Sequence, residues 1–134
     1  ISVGVGIVDE TVIDDINILQ ATFRAMRLAL ADLPVEPDVI LVDGTEVPAL
    51  SKPHRAIVGG DAASISIAAA SIVAKVVRDR IMVKYDAAYP LYGFKVHKGY
   101  GTKRHMDALR TYGPCQIHRR TFEPVRQLTF GWPQ

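Results

Sequence analysis

The chain has a single cysteine, Cys115, and can therefore form no internal disulfide. A lone thiol suits a reducing compartment, taken here as the cytoplasm. Nothing activating is specified beside Cys115, so it reads as a free structural thiol rather than a nucleophile. No apolar run approaches the roughly 20 residues that a membrane-spanning helix requires, and no membrane partner is expected. No signal-peptide pattern opens the sequence, a negative that counts only for a chain beginning at its own start. This one begins on Ile1 rather than Met. Internal repeats, low-complexity tracts and interdomain linkers are also lacking. The net charge of +2 says little by itself.

What is present fits one globular domain, or most of one. A chain of 134 residues with 49% hydrophobic content can bury a real core. Its charge is unevenly distributed: residues 1–61 hold ten acids against four Lys or Arg, and residues 95–126 hold two against eight. A basic tail suggests a polyanion surface, with acids gathered where metal could offset them; a solvated surface of mixed charge is the plainer alternative.

The elements alternate along the chain. Residues 2–8 read as a strand, with Val3, Val5 and Ile7 on one face and glycines between them. Thr11-x-x-Asp14 is a candidate cap for the helix that follows, in which Ile13, Ile16, Leu19, Phe23, Met26, Leu30 and Leu33 recur every three or four residues. Pro34 and Pro37 close it. Residues 39–42 form a short apolar run with β-branched residues, as expected of a strand buried on both faces, and residues 56–58 suggest a second. The Ala-rich stretch from Ser64 to Ala88 predicts a helix with Ile65, Ala68, Ala69, Ile72, Val73 and Val76 turned to the sheet. A basic, Gly-rich loop follows, then a helix over residues 102–112 stopped by Gly113-Pro114.

Two acids close the two buried runs, in Val42-Asp43-Gly44 and Gly59-Gly60-Asp61. Acids at the carboxyl ends of adjacent parallel strands can build a cleft for divalent metal. Phosphodiester cleavage places negative charge on the attacking and leaving oxygens, and two cations about 3.5–4 Å apart can clamp both. Spacing alone favours an Asx turn of Asp43 with Gly44 and a helix-capping Asp61. Tyr100, between two glycines in a basic loop, could stack on a sugar or base, or be an ordinary loop tyrosine. Lys98, Lys103, Arg104, Arg119 and Arg120 are candidate phosphate contacts. His97, His105 and His118 lack local ligand spacing such as His-x-x-x-His, which gives a transition-metal site little support. Asp79, in Arg78-Asp79-Arg80, is assigned an ion-pair role with its neighbours.

Asp43, Asp61, the Ala-rich segment 64–80, Lys98-Gly-Tyr-Gly-Thr-Lys-Arg-His105 and His118-Arg-Arg-Thr-Phe122 together resemble ribonuclease HII, from about Asn17-Ile-Leu-Gln-Ala-Thr22 to Pro124. The resemblance implies an α/β, ribonuclease H-like mixed sheet flanked by helices, with a helical carboxyl-terminal region. It implies an endonuclease using Mn²⁺ or Mg²⁺. Its substrates would be the RNA of RNA–DNA hybrids and DNA duplexes containing ribonucleotides, cut 5′ to the ribonucleotide to leave a 3′-hydroxyl and a 5′-phosphate. Asp43 and Asp61 match the family's third and fourth metal-binding acids, and Tyr100 matches the tyrosine that packs on the deoxyribose beside the ribonucleotide.

The family's amino-terminal strand ending in Asp-Glu, followed by Gly-Arg-Gly, has no match here. Thr-Val-Ile follows Asp9-Glu10, the only such pair. The chain is therefore expected to be the carboxyl-terminal portion of a longer protein, a single domain incomplete at its amino terminus and monomeric when complete. Expressed alone, residues 1–134 are expected to be insoluble or loosely folded and catalytically silent. A catalytically inactive nucleic-acid-binding fragment is the alternative reading. A different metal-dependent nuclease on the same fold is a third, against which the motif from Lys98 to His105 speaks.

Overall fold

A computed structural model describes residues 1–129 of the chain. Gly131-Trp-Pro-Gln134, to which the sequence assigns no role, lies outside the described residues. The element order is α1 (Glu10–Ala31), β1 (Ile40–Asp43), β2 (His54–Ile57), α2 (Gly60–Ala63), α3 (Ile65–Ala88), α4 (Phe94–His97), α5 (Lys103–Tyr112) and α6 (Val125–Thr129). These fall into two compact units, one of Ile1–Val8 and Ile16–Lys75, the other of Asp9–Asp15 with the chain from Val76 onward.

In the first unit β1 and β2 lie side by side and parallel, in register from Ile40 opposite His54 to Asp43 opposite Ile57. Parallel neighbours join only through a crossover, and among the described residues the sheet consists of this pair alone. Phe23, Val42 and Val47 form the core, with Met26, Ile40 and Leu50 packed against them. Phe23 and Met26 come from the apolar stripe of α1 and meet Val42, but β1 is not buried on both faces as the run suggested: Val42 is buried and Leu41 is 40% exposed. Burying side chains of this size contributes about 1.5–3 kcal/mol each.

Three further expectations need correction here. Residues 2–8 form no strand. A strand exists through its ladder, and this segment finds no strand to pair with; it lies instead on the backbone of α1. The Val5 N–H donates to Asp32 Oδ2 at 2.9 Å, and a Cβ at Gly4 or Gly6 would sit 2.1 Å from the Ala29 carbonyl oxygen or 1.9 Å from that of Ala25. The alternating glycines thus serve close approach to a helix rather than a pleat.

Second, the helix start lies two residues before the proposed Thr11 cap. Asp9 Oδ1 accepts from the Val12 N–H at 3.0 Å and from the Thr11 hydroxyl at 2.7 Å. α1 is also two helical segments rather than one: Asn17 leaves helical geometry at φ 68°, ψ 166°. Its Oδ1 takes the N–H groups of Leu19 and Gln20 at 3.0 and 3.1 Å, capping the segment that follows.

Third, α3 does not turn its predicted face inward. Ile67 is its one fully buried residue among those described, whereas Ile65 is 90% and Ile72 63% exposed. Two strands about 4.8 Å apart cannot cover a helix of 24 residues rising about 1.5 Å each. Ser64, extended at φ −136°, also separates α3 from the short α2, so the two are not one helix.

The second unit is built on Tyr92, Phe94, Ala108, Leu109 and Val125, with Met82, Tyr85, Tyr89, Met106, Cys115, Ile117 and Leu128 packed around them. Tyr92 and Phe94 stack at 5.4 Å with their planes 7° apart. α5 begins where its sequence signal places it, because the Thr102 side chain accepts the His105 N–H at 3.3 Å. It ends at Gly113, whose N–H returns to the Leu109 carbonyl. No described helix is long and apolar enough to cross a membrane.

Candidate functional site

Asp43 is the last residue of β1, and its Oδ1 accepts the Gly60 N–H at 2.8 Å. That bond bridges the ends of the two parallel strands. Gly60 permits it, since a Cβ there would lie 2.6 Å from Ile67 Cδ1 and 3.3 Å from Asp43 Oδ1. Asp61 comes next, in the first turn of α2, with its Oδ1 accepting the Ala62 N–H at 2.9 Å. Both acids therefore follow the carboxyl ends of neighbouring strands, and both are exposed. The plainer roles are not met. Asp43 bonds Gly60 rather than the turn after it, and Gly59, not Asp61, occupies the cap position of α2.

Exposed carboxylates are hard oxygen donors. Mg²⁺ in particular is commonly held through one or two of them together with waters and substrate phosphates, so these two residues fit the protein side of such a site. Among the described residues no group of three or more His, Cys, Asp or Glu side chains is arranged to hold a metal ion.

Tyr100, Lys98, Lys103, Arg104, Arg119 and Arg120 all belong to the other unit. The Tyr100 ring is 59% exposed. Its backbone is held firmly: Tyr100 N–H donates to the His97 carbonyl at 2.8 Å, and Thr102 N–H donates to the Tyr100 carbonyl at 2.8 Å. Lys98 turns back onto the Lys95 carbonyl and Lys103 pairs with Asp107 at 2.8 Å, so both are already engaged within the chain. Arg104 lies against Gly93. The Arg119 guanidinium sits 4.3 Å from the centre of the Phe122 ring, and Arg120 is exposed.

The three histidines gather, but not around a metal. His97, His105 and His118 are 5–7% exposed, packed edge-on or tilted against Phe94. The hydrogen bonds fix their tautomers. The Cys115 N–H donates to His118 Nδ1 at 3.1 Å, which leaves the proton of His118 on Nε2. His118 Nε2–H then donates to His105 Nε2 at 3.0 Å, and His105 Nδ1–H donates to the Tyr100 carbonyl at 3.0 Å. His97 takes the Gly99 N–H on Nδ1 and gives its Nε2–H to the Tyr92 carbonyl.

Each ring thus uses one nitrogen as donor and the other as acceptor, and the relay from His105 to His118 ties the loop bearing Tyr100 to the turn bearing Arg119 and Arg120. Burial is the main cause that lowers both His105 and His118, the latter to about 4. Burial also raises the Cys115 thiol beside His118, so this pair does not form a thiolate.

Two contributors were missed from the sequence. Asp14, read there as part of a capping pattern, accepts the Arg120 N–H at 2.6 Å, the Thr121 N–H at 3.0 Å and the Thr121 hydroxyl at 2.6 Å. Slight burial acts to raise its carboxyl, but the Thr121 and Arg120 hydrogen bonds outweigh this and hold it below the usual value. No local signal reveals a partner so distant in sequence. Arg78, read only as an ion-pair neighbour of Asp79, does pair with it at 2.9 Å but also reaches the Tyr100 hydroxyl at 2.8 Å.

With this geometry in hand, likeness to known proteins becomes informative. The family model described as ribonuclease HII matches residues 3–125. The ribonuclease HII of Geotalea daltonii is 56% identical over 127 residues, 95% of this chain and 59% of that protein. That of Bacillus subtilis is 52% identical over 128 residues, covering 96% of this chain and 50% of its own. The chain spans about half to three-fifths of the length of these curated relatives. The crystal structure of the ribonuclease H2 from Pyrococcus horikoshii superposes with a TM-score of 0.71 at 26% identity, over 90% of this chain and 65% of that one. The α/β fold expected from the sequence is therefore the fold observed, of the ribonuclease H2 kind.

Proposed function

The chain belongs to the ribonuclease HII family, and from that premise we propose that it acts as a metal-dependent endoribonuclease. Its substrates are the RNA of RNA–DNA hybrids and DNA duplexes that contain ribonucleotides. Water attacks the phosphodiester 5′ to the ribonucleotide, the bond to the 3′ oxygen breaks, and the products carry a 3′-hydroxyl and a 5′-phosphate. The observation that supports this best is the pair of exposed acids, Asp43 at the end of β1 and bonded to the Gly60 N–H, and Asp61 in the first turn of the helix that follows β2.

Asp43 and Asp61 would hold Mn²⁺ or Mg²⁺ through carboxylate oxygens. A bound ion of this kind supplies charge stabilisation at the phosphoryl oxygens and lowers the pKa of water. The Asp43–Gly60 bond orients one carboxylate, and exposure of both leaves room for a phosphate. Tyr100 stacks on the sugar at the junction, while Arg104, Arg119 and Arg120 contact phosphates and position the duplex without reading its sequence. A cytoplasmic location agrees with a single half-buried thiol.

The test is cleavage of a labelled duplex carrying one ribonucleotide by the full-length protein, with Mn²⁺ or Mg²⁺ and with a chelator. A single cut on the 5′ side, with 3′-hydroxyl and 5′-phosphate ends, is expected with metal. A cut on the 3′ side, or a 2′,3′-cyclic phosphate product, would overturn the assignment.

A further inference from the structure

Tyr100 has a rigid backbone but, on steric grounds, a free side chain. Its neighbours Gly99 and Gly101 present no side chains, and the ring is 59% exposed. One side chain restrains it. Arg78, on α3, donates from Nη1 to the phenolic oxygen at 2.8 Å, and its guanidinium carbon lies 4.7 Å from the ring centre. Arg78 is itself locked, because Nε and Nη2 on its other edge grip Asp79 Oδ1 at 3.3 and 2.9 Å. A planar fork holds a carboxylate on one edge and a hydroxyl on the other in fixed directions, whereas the donors of a single ammonium rotate and fix neither. The hydroxyl bond and the ring contact together limit rotation about both side-chain torsions of Tyr100.

We infer that Arg78 is the positioning residue for Tyr100, presenting its ring in one orientation to the sugar at the RNA–DNA junction. The inference rests on the proposed role of Tyr100. Arg78 need not touch substrate, and Asp79 contributes by holding the guanidinium. Fixing the ring before substrate arrives spares the ordering cost on binding, and that saving falls on the substrate whose recognition uses the ring.

The test compares single-ribonucleotide duplex with uniform RNA–DNA hybrid, using the full-length protein and the ratio of the two kcat/KM values. Tyr100→Ala should lower this ratio. Arg78→Met, which keeps length and loses the donors, should lower it about threefold to tenfold, the net scale of one ordinary hydrogen bond. Arg78→Lys should fall with Arg78→Met, because charge without the fork does not position the ring. In a Tyr100→Ala background Arg78→Met should change the ratio no further. A 3-fluorotyrosine at position 100 should report altered ring environment in Arg78→Met.

Full rescue by Arg78→Lys, or an equal loss from Arg78→Met with and without the Tyr100 ring, would overturn the inference and assign Arg78 to phosphate contact. If Tyr100→Ala lowers the ratio and Arg78→Met does not, positioning alone fails. If Tyr100→Ala leaves the ratio unchanged, the substrate role of Tyr100 fails first and the inference with it.

Discussion

Acid should weaken the fold through the histidine relay as pH falls from about 6.5 to about 4. In the folded protein burial first, and then the neighbouring His105 ring, presses His118 down to about 4 against an ordinary value of 6.5. Between those values the unfolded chain binds a proton that the folded chain does not. Stability is therefore full above the ordinary value, declines as pH falls through the window, and the loss is complete near the folded value. At about 1.4 kcal/mol per tenfold difference in proton affinity the full shift corresponds to roughly 3.5 kcal/mol, which solvent screening of a partly enclosed ring reduces to roughly 2–3 kcal/mol. That is a large share of a domain stability of about 5–15 kcal/mol.

Urea unfolding of the full-length protein followed by circular dichroism between about pH 7 and pH 4 measures it, with His118→Gln as the comparison. The glutamine amide nitrogen reaches the place of Nε2 and keeps a donor toward His105, but cannot titrate. The variant should start about 1–2 kcal/mol less stable at neutral pH, because the Cys115 N–H loses its acceptor. The gap to the parent should then close as pH falls. Parallel curves across the whole window would refute the neutral relay.

Three other outcomes are expected. Gly6→Ala should destabilise by about 2 kcal/mol or more, since the new methyl would meet the Ala25 carbonyl at 1.9 Å and backbone cannot yield as a side chain can; an unchanged melting temperature would remove the close-packing account. Asp14→Asn should speed hydrogen exchange of the Arg120 and Thr121 amides by about tenfold, and unaltered protection would mean that Asp14 does not hold that turn. Arg120→Ala should weaken duplex binding across sequences and flatten its salt dependence, whereas Tyr100→Ala should impair cleavage at a single ribonucleotide more than binding. Equal binding losses from the two would contradict that division.

Legibility from sequence followed the range of the interactions. The amphipathic stripe carrying Phe23 and Met26, the apolar run at Val42 and the Thr102 and Gly113 boundaries of α5 were readable because each is set by neighbours a few residues away. The acids Asp43 and Asp61 stand where their runs end, as the run lengths implied. Residues 2–8 misled because alternation describes a face and not a partner; the same glycines that break a pleat allow contact with helix carbonyls. The α3 face misled for a related reason, since periodicity marks which side is apolar but not whether a sheet is there to receive it. The histidine relay, the Asp14 bonds and the Arg78–Tyr100 clamp join residues far apart in the chain, and no local pattern encodes them.

The central claim is that Asp43 and Asp61 hold the ion that cleavage requires. Asp43→Asn in the full-length protein tests it most directly, because the carboxamide keeps shape and can still accept the Gly60 N–H while losing the charge. Cleavage of the single-ribonucleotide duplex with Mn²⁺ or Mg²⁺ should be abolished, with circular dichroism and melting temperature unchanged. Full metal-dependent cleavage by that folded variant would contradict the claim.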